Sequence, residues 1–158
     1  MDNVIRGIYV NDLSGGDVQL LTRGKAAVRL YEDLLKFNNI IDALGPNRQM
    51  ILLYPVLSNS SGHWLAILYH ESTHTIEHFD SYSFTTSQEA GYTDNAFVKR
   101  NLLGDLYDKA RAQGYKVFFN PYKFQVLAKG INTCGRHASM RCRFNYLSCD
   151  TANRANVR

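Results

Sequence analysis

Two strand-forming runs, residues 63–70 and 75–80, are separated only by Glu71-Ser72-Thr73-His74. Runs this close in sequence read as an antiparallel hairpin, so a sheet organises the fold. With Glu71-Ser72 as the loop, His70 pairs with Thr73, and the same register sets His63 directly across from Asp80. Residues so opposed have Cβ atoms about 4.5–5.5 Å apart. An imidazole held by a carboxylate at that distance has a fixed tautomer and a stabilised imidazolium, as a general base requires. A slip of one residue would put the two on opposite faces. Alone, a His at a strand start is more often structural, and an Asp before Ser more often forms a turn. The pairing is what raises both above that background.

Around the hairpin, Ser14-Gly15-Gly16-Asp17 reads as a helix start with Ser14 as N-cap. Ala27, Leu30, Tyr31, Leu34 and Leu35 recur at helical spacing and predict a helix over about 25–37. Gly45-Pro46-Asn47 is a turn, and residues 50–54 form a buried strand ended by Pro55. A helix is expected over about 95–113, then a strand over 115–119 closed by Asn120-Pro121. A last helix should run over about 134–147. Its apolar residues fall on two sides, Ala138, Cys142 and Tyr146 on one and Met140, Phe144 and Leu147 on the other, which predicts a central helix. The chain of 158 residues shows no repeat or linker and suits one domain over 1–158. The class is α+β, a mainly antiparallel or mixed central sheet flanked by helices.

The last helix begins at a cysteine. In Gly130-Ile131-Asn132-Thr133-Cys134-Gly135-Arg136-His137 a turn feeds directly into it. Unpaired N–H groups and a positive dipole end favour a thiolate there. Residues 1–95 hold 6 Lys and Arg against 11 Asp and Glu, whereas residues 96–158 hold 12 against 3, so Cys134 lies in the positive half. The three cysteines, Cys134, Cys142 and Cys149, are odd in number and crowded together, which argues against a disulfide framework. Their spacing fits no usual zinc site, and no metal is expected. No apolar run approaches the roughly 20 residues of a membrane span, and the start lacks a signal peptide's pattern, which points to a reducing compartment. His137 is a weaker base than His63, because a side chain at the helix start points away from the residue three further on. His70, His74 and His78 read as solvated hairpin residues.

Taken in order, His63-Trp64, Phe79-Asp80-Ser81, Gln125 and Cys134-Gly135 make the chain resemble the Ulp1/adenain-like cysteine peptidases. That superfamily includes SUMO-deconjugating proteases and maturation proteases of adenoviruses and related elements. The resemblance covers about residues 50–147. It implies a permuted papain-like arrangement with the nucleophile Cys134 at the N-terminus of a central helix, His63 as base and then acid, and Asp80 as orienting carboxylate. Gln125 would donate to the oxyanion with the Cys134 N–H, and Trp64 would wall a channel that admits small residues. Two departures stand out. Nine residues separate Gln125 from Cys134, more than is usual, and Thr133 stands where the SUMO-protease branch has Asp. Asn132–Arg136 looks more like the viral branch.

The implied activity is a cysteine endopeptidase processing viral structural precursors at small-residue, glycine-containing sites. The alternatives are a protease for a SUMO- or ubiquitin-like modifier, a related acetyltransferase, and a non-catalytic binding module. The sequence requires no cofactor, while the resemblance leaves open an activating peptide or nucleic acid. The expected partner is a protein substrate, with nucleic acid on the basic C-terminal half, no membrane, and a monomeric state. The expected location is the host cytoplasm or nucleus, or the virion.

Overall fold

The computed structural model describes residues 15–54, 62–91, 93, 96–124 and 134–147. Helix α1, Gly15–Leu21, leads into strand β1, Ala27–Leu30, and a 3-10 segment, Tyr31–Lys36. Helix α2, Ile40–Leu44, precedes β2, Gln49–Tyr54. The hairpin consists of β3, His63–His70, and β4, Thr75–Phe79. Short helices α3, Thr86–Ala90, and α4, Ala96–Lys99, then lead to α5, Leu102–Ala112. Strand β5, Lys116–Phe119, and helix α6, Cys134–Arg143, complete the order.

The five strands lie in sequence order in one mixed sheet. The β2–β3 and β3–β4 pairs are antiparallel, and β1 and β5 add in parallel at the two edges. The class is therefore α+β, as the patterning implies. The central strands bury both faces, so each reads as a near-continuous apolar run. Leu65, Ile67, Met50, Leu52 and Ile76 pack on one face with Leu103, Leu106 and Tyr107 of α5. Ile51, Trp64, Ala66, Leu68 and Phe79 pack on the other with Val18 of α1 and Cys134, Ala138 and Cys142 of α6.

Four local expectations need correction. Residues 25–37 form no α-helix. The apolar spacing there is shared between a four-residue strand paired to β2 and a 3-10 turn, because the edge of the sheet offers Ala27–Leu30 a ladder that a lone helix lacks. The helix expected over 95–113 is broken at Asn101, whose φ of 55° ends α4; its side chain then caps α5 by accepting from the Gly104 N–H at 3.2 Å. Helix α6 is shorter than expected and buries one face only: Ala138 and Cys142 are buried, while Met140, Phe144 and Tyr146 are exposed. It is a surface helix laid on β3, not a central one.

The fourth correction concerns the hairpin register. His70 pairs with Thr75 and Ala66 with Phe79, two residues beyond the expected pairing. The cause is the turn. Glu71–Thr73 form a 3-10 segment and His74 adopts a left-handed conformation, so the loop takes four residues rather than two. An even slip preserves the face. His63 and Asp80 become diagonal rather than direct neighbours, still within reach of long side chains.

Candidate active site

The hairpin brings His63 and Asp80 together in spite of the changed register. Their side chains meet at 2.9 Å, Nε2 to Oδ1, both buried. His63 opens β3 opposite Tyr54 of β2. The preceding Gly62 has no room for a side chain, since a Cβ there would lie 2.7 Å from both the Leu53 Cδ1 and the Tyr54 carbonyl oxygen. That close approach fixes where the imidazole enters. The ring is stacked on Tyr82 at 4.8 Å and meets the Tyr54 ring edge-on at 5.2 Å, so its plane is set from two sides.

Asp80 lies just past β4, and several contacts hold it. Its Oδ1 also accepts from the Tyr82 N–H at 2.8 Å. Asn120, at the end of β5, donates through Nδ2 to the Asp80 carbonyl at 3.0 Å and to the Tyr122 carbonyl at 2.8 Å. The Phe124 N–H donates to the Ser81 carbonyl at 2.8 Å. Asn120-Pro121 thus does more than close a strand: it clamps the loop carrying the carboxylate.

Cys134 is the first residue of the ten-residue helix α6. Its sulfur accepts the Trp64 backbone N–H at 3.4 Å and lies within hydrogen-bond reach of the His63 ring. With Nε2 committed to Asp80, Nδ1 is the nitrogen available to the thiol. The three expected residues therefore converge from two strand ends and a helix start. Burial opposes charge on His63, but the Asp80 carboxylate and the Cys134 sulfur outweigh it and push its pKa up to about 9. Burial likewise opposes charge on Asp80, and the His63 charge and hydrogen bond outweigh it, holding the carboxyl below its usual range. The Asp80 carboxylate thus favours the charged form of His63 next to the Cys134 sulfur. Such a dyad can attack an acyl carbon and then protonate a leaving group.

The remaining candidates separate. Gln125 and Cys149 lie outside the described residues, as does Ser14. Trp64 contributes a backbone donor to the sulfur, a role its sequence position did not announce, and its indole is buried in the same cluster as Cys134. His137 is half-buried and stacked on Phe124 at 6.0 Å. Cys142 is buried, and burial pushes its thiol up.

The hairpin histidines are not all solvated. His74 is exposed and stacked on Tyr115, but His70 binds Glu77 at 2.8 Å and His78 is completely buried. His78 Nδ1 meets the Tyr107 hydroxyl at 2.7 Å and Nε2 meets Glu89 Oε1 at 2.7 Å. Burial pulls His78 down to about 4, so it is neutral at pH 7. Glu77, beneath α6, is gripped by Arg141 through two bonds of 2.8 Å. Glu89, which sequence reasoning missed, follows a visible signal: Thr85 and Gln88 form a reciprocal capping box that starts α3 and places Glu89 inward.

Donor atoms of His78, Asp80 and Glu89 lie within 4.8 Å of one another, the one such grouping among the described residues. The 2.7 Å contact between His78 and Glu89 is hydrogen-bond length. Two ligands around zinc stand about 3.3 Å apart, given Zn–N and Zn–O distances of about 2.0 Å. No described helix is long and apolar enough to cross a membrane.

No family model matches the chain. It is 31% identical over 144 residues to an uncharacterized protein, V9, of the Sputnik virophage, an alignment covering 85% of this chain and 77% of that protein.

Proposed function

The chain belongs to the family of Sputnik virophage protein V9, and on that premise we propose that it is a cysteine endopeptidase acting on viral structural precursors. The observation that carries the reading is the convergence on one sulfur: Cys134 at a helix start, with the Trp64 N–H at 3.4 Å and the His63–Asp80 pair alongside. What sets this pair apart from His70–Glu77 and His78–Glu89 is a sulfur at a helix start that also accepts a backbone N–H.

In the proposed reaction His63 takes the thiol proton and the sulfur attacks the scissile carbonyl carbon. The oxyanion is met by the Cys134 N–H at the helix start, with Gln125 proposed as second donor. The C–N bond breaks as His63 returns the proton to the leaving amine. Water, deprotonated by His63, then hydrolyses the thioester and frees the carboxylate. Asp80 keeps the imidazolium stable through both steps. Trp64 is proposed to restrict the approach to small residues, and the viral kinship favours capsid-type precursors over modifier conjugates.

The test is cleavage of two substrate sets, capsid-type peptides with glycine-containing sites and tagged SUMO- and ubiquitin-like precursors. Cleavage of the first set, abolished in Cys134→Ala and His63→Ala, is the expected result. Cleavage of the modifiers alone would move the substrate to the second class, and full activity in either variant would end the peptidase reading.

A further inference from the structure

Asp80 has a second carboxylate oxygen, Oδ2, that is buried and lacks a donor while every nearby carboxyl is ionised. Such an atom is costly inside a protein. The Glu89 carboxyl is 3% exposed and has an oxygen within 4.8 Å of the Asp80 carboxylate. Two carboxylates facing each other in a buried site do not both ionise, and one holds a proton between them.

Donor directions settle which one. Asp80 Oδ1 already accepts from His63 and the Tyr82 N–H, so the charge belongs on Asp80. With His78 as its Nε2–H tautomer, Glu89 Oε1 accepts from that nitrogen at 2.7 Å and Nδ1 accepts from the Tyr107 hydroxyl at 2.7 Å. One proton on the other Glu89 oxygen completes a single directed chain from Tyr107 through His78, Glu89 and Asp80 to His63. The titratable groups facing Glu89 from the surrounding elements are His78 on β4, Asp80, Tyr54 on β2, Tyr31 of the 3-10 segment and Tyr107 on α5. All are neutral or negative near neutrality, so none draws a charge onto Glu89. Burial and the Asp80 charge both push its pKa up.

We propose that Glu89 is a positioning residue, a neutral carboxylic acid that donates the hydrogen bond Asp80 Oδ2 otherwise lacks and so keeps Asp80 ionised and aimed at His63. This rests on the peptidase reading of His63 and Cys134, deepens it, and is separable from it. Glu89 acts through Asp80 and touches no reacting atom.

The experiment follows alkylation of Cys134 by iodoacetamide against pH, mapped by mass spectrometry, in the wild type and in Glu89→Gln, Glu89→Leu and His63→Ala. Glutamine keeps a neutral donor of the same shape. Its profile is expected to overlay the wild type, while Glu89→Leu moves the acid limb to higher pH and slows alkylation by roughly 10-fold, the scale of one hydrogen bond to a charged group. If glutamine is as damaging as leucine, Glu89 acts as an anion and the proposal fails. Infrared difference spectra between wild type and Glu89→Gln at neutral pH give a readout that holds even where Glu89→Leu does not fold. The carbonyl band of a protonated carboxyl must be present in the wild type and lost in the variant, and its absence in the wild type overturns the proposal. Loss of the wild-type profile on chelation would also overturn it, by making the cluster a metal site. His63→Ala separates the two readings: unchanged alkylation there refutes the peptidase dyad, whereas slow alkylation there with equal Gln and Leu variants refutes Glu89 alone.

Discussion

Replacing Asp80 with Asn tests the centre of the site, because it removes a charge and almost nothing else. Asn keeps an oxygen for the Tyr82 N–H, and the Asn120 bond goes to the Asp80 backbone, so the loop should hold. The imidazolium loses its partner while its burial remains. His63 stands at about 9 against a reference of 6.5, a rise achieved against desolvation. Each pKa unit is about 1.4 kcal/mol, so the surroundings favour the charged ring by roughly 3 kcal/mol. Without the carboxylate most of that preference disappears, and burial should carry the pKa below 6.5. The imidazolium fraction of His63 at pH 7.5 should fall by about 10-fold or more. Peptide cleavage measured as kcat/KM should fall with it, and the alkaline limb of the wild-type profile, near pH 9, should vanish. Circular dichroism would check that the fold persists. An Asp80→Asn protein that cleaves at the wild-type rate with its alkaline limb intact would refute the reasoning.

Three further outcomes follow from the surroundings. Arg141→Met should lower stability by about 3–5 kcal/mol, because it leaves Glu77 buried with only His70 as a partner, and denaturant unfolding reads this directly. Stability should fall on acidification from pH 6.5 towards 4: His78 has its folded-state pKa lowered to about 4, so the unfolded chain takes up that proton first and neutral His78 stabilises the fold only above the unfolded value. A Phe at position 78 should flatten that slope in thermal melts across pH. Brief alkylation of the folded protein should label Cys134 and spare Cys142, whose thiol is buried and pushed up; equal labelling of both would count against a selectively activated thiol.

Much of this site was legible because alternation survives small errors of register. His63 and Asp80 share a face under either pairing, so a loop misjudged by two residues did not part them. The loop itself was not legible, since a left-handed His74 depends on stacking against Tyr115 and a bond to Tyr69, which only the folded sheet supplies. Residues 25–37 misled for a related reason: the five apolar positions fit a helix as well as a strand followed by a turn until β2 offers a partner. His78 and Glu89 were opaque because each is polar, and burial of such groups becomes acceptable only once Tyr107 and Asp80 arrive from elsewhere in the chain. The capping box at Thr85 and Gln88 was the one local sign of Glu89's setting.

The Arg141–Glu77 pair joins parts of the chain that lie far apart in sequence. His63 and Asp80 are 17 residues apart on one hairpin, but Trp64 N and Cys134 Sγ join positions 70 apart. Arg141 lies two turns along α6 from Cys134 and grips Glu77 of β4, which stands three positions before Asp80. The ion pair therefore staples the helix that opens on the sulfur to the strand that leads to the carboxylate, so that a change at Arg141, remote from His63, should loosen the sulfur against the Trp64 N–H.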